Sequence, residues 1–83
     1  MLTQEQKNTI ANTPSIRINI KIAGRGTLSI LGEPDKGFIE VALLKGDGHI
    51  NHEPPFPHDG FGVATIFREN ASDELDKILL GLA

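Results

Sequence analysis

His49, His52 and His58 stand in one stretch with H-x2-H-x5-H spacing, and Asp47, Glu53 and Asp59 are interleaved with them. Neutral imidazoles with carboxylates are the donor set that zinc, nickel or copper takes, so these histidines are a candidate metal site. No helix or strand enforces that spacing, because Pro54, Pro55 and Pro57 break the run and leave the rings free to point apart. The stretch also offers two base–acid neighbours, His58 with Asp59 and His52 with Glu53, of the kind general-base hydrolysis uses. No serine accompanies them in a Gly-x-Ser-x-Gly elbow, and a domain of this size has little room to enclose a substrate. The expectation is a non-enzyme without a cofactor, with these histidines solvated in a polar loop.

A second polar group lies nearer the N-terminus. Arg17 and Lys21 share one side of an alternating segment, and Arg25 stands between Gly24 and Gly26, so the three are a candidate anion or nucleotide site. Neither a P-loop nor a dinucleotide fingerprint is present. A wet strand face followed by a hairpin turn explains the same residues without a ligand.

The third reading concerns recognition of another protein. The segment 46–60, GDGHINHEPPFPHDG, holds three acids and no base, and three of the five prolines of the chain stiffen it. Ile50 and Phe56 within it, and Phe61 just after, are apolar side chains among polar ones, as in a binding epitope with a few anchors and a polar rim. The candidate partner-binding residues are therefore Asp47, Ile50, Glu53, Phe56, Asp59 and Phe61. Glu69, Asp73, Glu74 and Asp76 add negative charge where a helix is expected to begin, which the helix dipole favours by itself. If loop and helix start lie side by side, the acidic patch suits a basic surface on a partner. Pro54 and Pro57 match P-x-x-P but lack a flanking arginine, and the Asn70-Ala71-Ser72 sequon is accounted for by helix capping.

These groups need a scaffold, and the apolar periodicity supplies one. Thr3 with Gln6 forms a capping box, and Pro14 forbids a helix from running through Thr13, which predicts a short, weakly amphipathic helix over 4–12. Ile16, Ile18, Ile20 and Ile22 alternate with polar residues, the period of a half-buried strand. A turn at 24–26, a strand over 27–31 and a hairpin loop over 33–37 come next. Segments 38–45 and 61–68 carry apolar residues on both sides and read as strands needing cover on both faces. Asn70 or Ser72 then caps a helix in which Leu75, Ile78, Leu79 and Leu82 keep helical spacing. The fold class is α+β, a four-stranded, mostly antiparallel sheet in the order α-β-β-β-β-α, forming one domain over 1–83 with the loop at 46–60.

Composition narrows the partners. The net charge is −3, with four bases against one acid up to Arg25 and four bases against ten acids beyond it. Tyr and Trp are absent. That balance argues against direct nucleic-acid binding, which uses a concentrated basic face and stacking aromatics. Without cysteine there is no disulfide or thiolate chemistry, and no apolar run is long enough to span a membrane. The N-terminus shows neither a signal nor a transit pattern, which points to the cytoplasm. A chain this short buries roughly 60–65% of its unfolded surface, and two strands apolar on both faces need more cover than one strong helix gives. Either a homodimer buries the second face, or the first helix and the long loop fold over it. The makeup is that of small adaptors or inhibitors such as bacteriophages and mobile elements carry.

Overall fold

The computed structural model describes residues 2–82. Helix α1 (Gln4–Asn12) leads into strands β1 (Ile16–Ile22), β2 (Gly26–Gly32), β3 (Phe38–Leu44) and β4 (Val63–Phe67), and helix α2 (Ala71–Leu82) closes the chain. The four strands pair antiparallel in the order β1-β2-β3-β4, so the α+β arrangement read from the periodicity is present. Thr3 and Gln6 exchange both bonds of the capping box, and Thr13 leaves the helix in an extended conformation ahead of Pro14. Of the two cap candidates for α2, Asn70 immediately precedes the helix. A 3₁₀ turn over Arg68–Asn70 runs straight into it, which places Ser72 inside the helix rather than at its cap.

The sheet has two unlike faces because side chains alternate across it. Ile16, Ile18, Ile20 and Ile22 from β1, Leu28 and Ile30 from β2, Ile39, Val41 and Leu43 from β3, and Ala64 and Ile66 from β4 share the inner face. Leu2 and Ile10 of the α1 region and Ala71, Leu75, Ile78, Leu79 and Leu82 of α2 join most of them in one core cluster. No polar or charged side chain among the described residues is buried. Both helices therefore lie on one side of the sheet. Lys7 and Asp76 tie the helices together at 3.0 Å, and Asp76 also accepts from the Leu2 amide at 3.3 Å.

Neither α1 nor the long loop covers the second face, so that way of burying it is excluded. Its residues are Arg17, Asn19 and Lys21 of β1, Thr27, Ser29 and Leu31 of β2, Phe38, Glu40, Ala42 and Leu44 of β3, and Val63, Thr65 and Phe67 of β4. Leu31 and Phe67 are exposed. No described helix is long and apolar enough to cross a membrane.

One side chain joins the layers at their open end. Arg68 uses every N–H of its guanidinium on backbone carbonyls: Nε to Lys36, Nη1 to Ile10 and Thr13, and Nη2 to Pro14 and Glu33, over 2.6–3.3 Å. It thereby holds the end of α1, the entry to β1 and the β2–β3 loop at once. Hydrogen bonds to charged groups contribute roughly 1.5–3 kcal/mol each and are not additive, so Arg68→Ala is expected to cost about 2–4 kcal/mol in urea unfolding. Arg68→Lys is expected to recover less than half of that, because an ammonium cannot span the five acceptors. A loss below about 0.5 kcal/mol for Arg68→Ala would mean that the clamp contributes nothing.

Candidate functional site

The chain between β3 and β4 is organised from its ends inward. Lys45 donates its amide to the His49 carbonyl at 2.8 Å, Gly48 donates to Lys45 at 2.9 Å, and the Asp47 carboxylate accepts from the His49 amide at 3.0 Å. Gly48 has φ +86°, a conformation that glycine adopts without strain. This tight hairpin turns the chain back so that Ile50 lies opposite Leu44 and the Asn51 amide reaches the Leu43 carbonyl. Ile50 and Asn51 thus occupy the line of the fourth strand before Val63 takes it up beside Ala42. Residues 52–62 are an excursion from that line. Its two ends abut, since a Cβ on Gly62 would strike the Asn51 carbonyl. Close ends with inward packing define an Ω-loop.

Within the excursion the Asn51 side chain accepts from the Glu53 amide at 2.9 Å, and Pro54 and Phe56 turn inward. Phe56 is 8% exposed and belongs to the core cluster. The expectation that Phe56 is an exposed anchor is corrected on this point. The loop's closed ends fold its middle back against the body, where an aromatic ring gains more from burial than from solvent. Asp59 completes the return, with its carboxylate accepting from the Phe61 amide at 2.8 Å and the Val63 amide at 3.0 Å. Its own amide donates to the Val63 carbonyl at 2.9 Å. The Val63 and Phe61 amides hold the Asp59 carboxyl below its ordinary value, and the His49 amide does the same for Asp47.

These contacts decide the chemistry read from the sequence. Among the described residues no three His, Asp or Glu side chains gather where they could hold a metal, so His49, His52 and His58 do not converge. His49 faces the Asp47 carboxylate in the hairpin at 3.3 Å, His52 stands where the excursion departs, and His58 Nδ1 meets the Asp59 carbonyl where it returns. The Asp59 carboxylate is engaged by backbone amides rather than by an imidazole. Arg17 and Lys21 do share the outer side of β1, about 13 Å apart along the strand. A concavity of about 770 Å³ is lined by Lys21, Arg25 and Lys45, while Arg17 lies outside it. Lys45 gave no signal in the sequence, because its nearness to Arg25 arises from sheet pairing.

The loop and α2 meet across a groove of about 610 Å³ with Phe56 and Ile78 on its walls. Glu74 is on its rim, but Lys77 sits beside it at 3.5 Å, so the expected acidic patch is interrupted by a base. Exposed apolar side chains lie elsewhere, among them Leu80 on α2. Phe61 is 72% exposed at the turn into β4, while Phe67 (63%), Leu31 (39%) and Ile50 (37%) belong to the outer sheet face. Of the six partner-binding candidates, Ile50 and Phe61 present apolar surface, Asp47 and Glu53 are exposed acids, Asp59 caps the loop, and Phe56 is core.

Two measurements check this division of labour. Phe56→Ala is expected to destabilise the domain by about 2–4 kcal/mol in chemical unfolding, whereas Ile50→Ala should cost under about 1 kcal/mol. The depressed Asp59 pKa means that its contribution is complete above the ordinary value of 3.8 and vanishes as pH falls through the native value. The amide resonances of Phe61 and Val63 should accordingly titrate only below pH 3.8. Asp59→Ala should abolish that titration.

No protein-family model, curated protein or solved structure matches the chain, so its function is argued from these surfaces.

Proposed function

We propose that the chain is a non-catalytic protein-binding module of the adaptor or inhibitor type, whose contact surface is the open face of the sheet. The observation that carries this reading is apolar surface at both ends of one sheet face, Leu31 and Phe67 at one end and Ile50 at the other, exposed where neither helix touches. Exposed apolar surface lowers the solubility of a small domain, and contiguous patches mark interaction sites. Phe38 lies half-buried opposite Phe67, and Leu44 and Val63 lie half-buried near Ile50, with Glu40 and Thr65 between the two groups. Phe61 adds a further aromatic at the adjoining turn.

Charge gives the face a direction. Arg17 and Lys21 line its β1 side, Glu53 is an exposed acid of the loop between β3 and β4, and Asp47 lies in the turn whose glycines border Lys21 and Arg25. A partner with an acidic flank and a basic flank matches both, and charge placed at the rim sets orientation and encounter rate more than affinity. A second copy of the chain carries both flanks, so a homodimer through this face is one form of the proposal.

The test pairs Phe67→Ser and Leu31→Ser in one variant. Its melting temperature is expected to stay within about 3 °C of the parent, since both side chains are already solvated. Its partner retention in quantitative affinity capture from host extract, or its dimer fraction in light scattering, is expected to fall at least about tenfold, a change of about 1.4 kcal/mol. Unchanged capture together with a monomer for both proteins would overturn the reading. So would a melting shift with a divalent metal or nucleotide panel, which belongs to a small-ligand binder.

A further inference from the structure

The two margins of the sheet are finished differently, and the difference comes from hydrogen-bond parity. The Arg68 amide donates to Gly37 and the Asn51 amide to Leu43, so the odd-numbered residues of β3 bond toward β4. Bonding direction alternates along a strand between antiparallel neighbours, so Glu40, Ala42 and Leu44 bond toward β2, at Leu31, Ser29 and Thr27. In β2 that leaves Leu28, Ile30 and Gly32 to bond toward β1, at Ile20, Ile18 and Ile16. Arg17, Asn19 and Lys21 therefore turn their N–H and C=O groups to the open margin beyond β1. On the far margin the same alternation turns Val63, Thr65 and Phe67 outward. There, Val63 is closed off, its amide donating to the Asp59 carboxylate and its carbonyl accepting from the Asp59 amide. The loop thus guards part of the β4 margin, and among the described residues nothing pairs with the outer edge of β1.

The side chains of β1 say what fits beside it. Ile18, Ile20 and Ile22 face the helices yet are only half-buried, because the helical layer stops short of this margin. Arg17, Asn19 and Lys21 are exposed on the other side. Lysine on an edge strand is a common defence against unwanted pairing, and here it selects rather than forbids. Antiparallel pairing with a second copy centred on Asn19 would set Arg17 against Lys21, like charges directly opposite. A strand with acids on the outer side and aliphatics on the inner side meets both requirements. Arg25 and Lys45 join Lys21 in the concavity where β1 ends, with the Asp47 carboxylate near Lys45.

We infer that the free margin of β1 is a docking rail for an extended segment of another protein in which acidic and aliphatic residues alternate, added to the sheet as a fifth strand. Backbone bonds at Arg17, Asn19 and Lys21 hold the segment, its aliphatic side chains cover Ile18, Ile20 and Ile22, and its acids face Arg17 and Lys21. This rests on the protein-binding reading above but uses a different surface.

The experiment titrates isotope-labelled protein with a proline-flanked heptapeptide of alternating valine and glutamate, followed by amide resonances. The expected result is saturable change concentrated at Arg17, Asn19 and Lys21, lost when the peptide's bonding amides are N-methylated. A valine–lysine peptide should bind at least about tenfold more weakly. Arg17→Glu with Lys21→Glu should reverse the preference, and Arg17→Gln with Lys21→Gln should erase it, which also covers a charge-reversed variant that fails to fold. Equal binding of both peptides, or no binding of the glutamate peptide at millimolar concentration, overturns the inference. Changes confined to Leu31, Phe67 and Ile50 also overturn it, while leaving the face-binding proposal standing. Perturbation of β1 amides by protein concentration alone would overturn it in favour of a second copy.

Discussion

Five backbone carbonyls from two stretches of chain, 10–14 and 33–36, converge on the Arg68 guanidinium, and the relation between the helical layer and the sheet depends on that convergence. The last carbonyls of a helix have no partner within it and carry partial negative charge. Helix α1 has no basic residue in its last turn to meet them. Arg68 supplies the missing cation from the far end of β4, and the same fork reaches the β2–β3 loop, whose carbonyls would otherwise face the same gap. Gly32 makes the approach possible. A Cβ there would stand 2.9 Å from Arg68 Nη2 and 3.3 Å from both Ile16 and Ile39, so the absence of a side chain is what lets the guanidinium into the corner.

The interruption of the fourth strand reflects a similar economy of space. Once Ile50 and Asn51 occupy the strand line beside Leu44 and Leu43, the chain either continues down β3 directly or leaves and returns. It leaves, and the return is fixed by Gly62 against the Asn51 carbonyl and by Asp59 on the Phe61 and Val63 amides. The excursion brings Phe56 into the core and places Asp59 across part of a sheet margin. The loop is thus a packing element and an edge guard, and its contribution to any contact surface comes from its ends, at Ile50 and Phe61, rather than from its middle.

The strands were legible because the isoleucines of β1 and the apolar runs of β3 and β4 keep period two, and α2 because its leucines keep helical spacing. Demand for cover on the second face was legible too, since Phe38, Leu44 and Val63 lie on the side opposite the core. What the sequence hid is non-local. Arg68 looks like any base after a strand, and three of its five partners precede it by more than fifty positions. Phe56, flanked by prolines and acids, reads as an outward anchor until the loop's two ends are known to touch. Lys45 joins Lys21 and Arg25 only through the pairing of β1 with β2 and β2 with β3.

The open face goes with the size of the two helices. Helices of nine and twelve residues are about 14 and 18 Å long, and side by side they are about 20 Å across. Four strands make a sheet about 19 Å wide, so the two helices can serve one face and have nothing left for the other. On the covered face the helices sit toward β4 rather than β1, and Ile18, Ile20 and Ile22 remain half-buried. Arg17, Lys21 and Glu40 set charges among Leu31, Phe38 and Phe67, which opposes indiscriminate sticking and leaves the patch attractive only to a surface with matching charges.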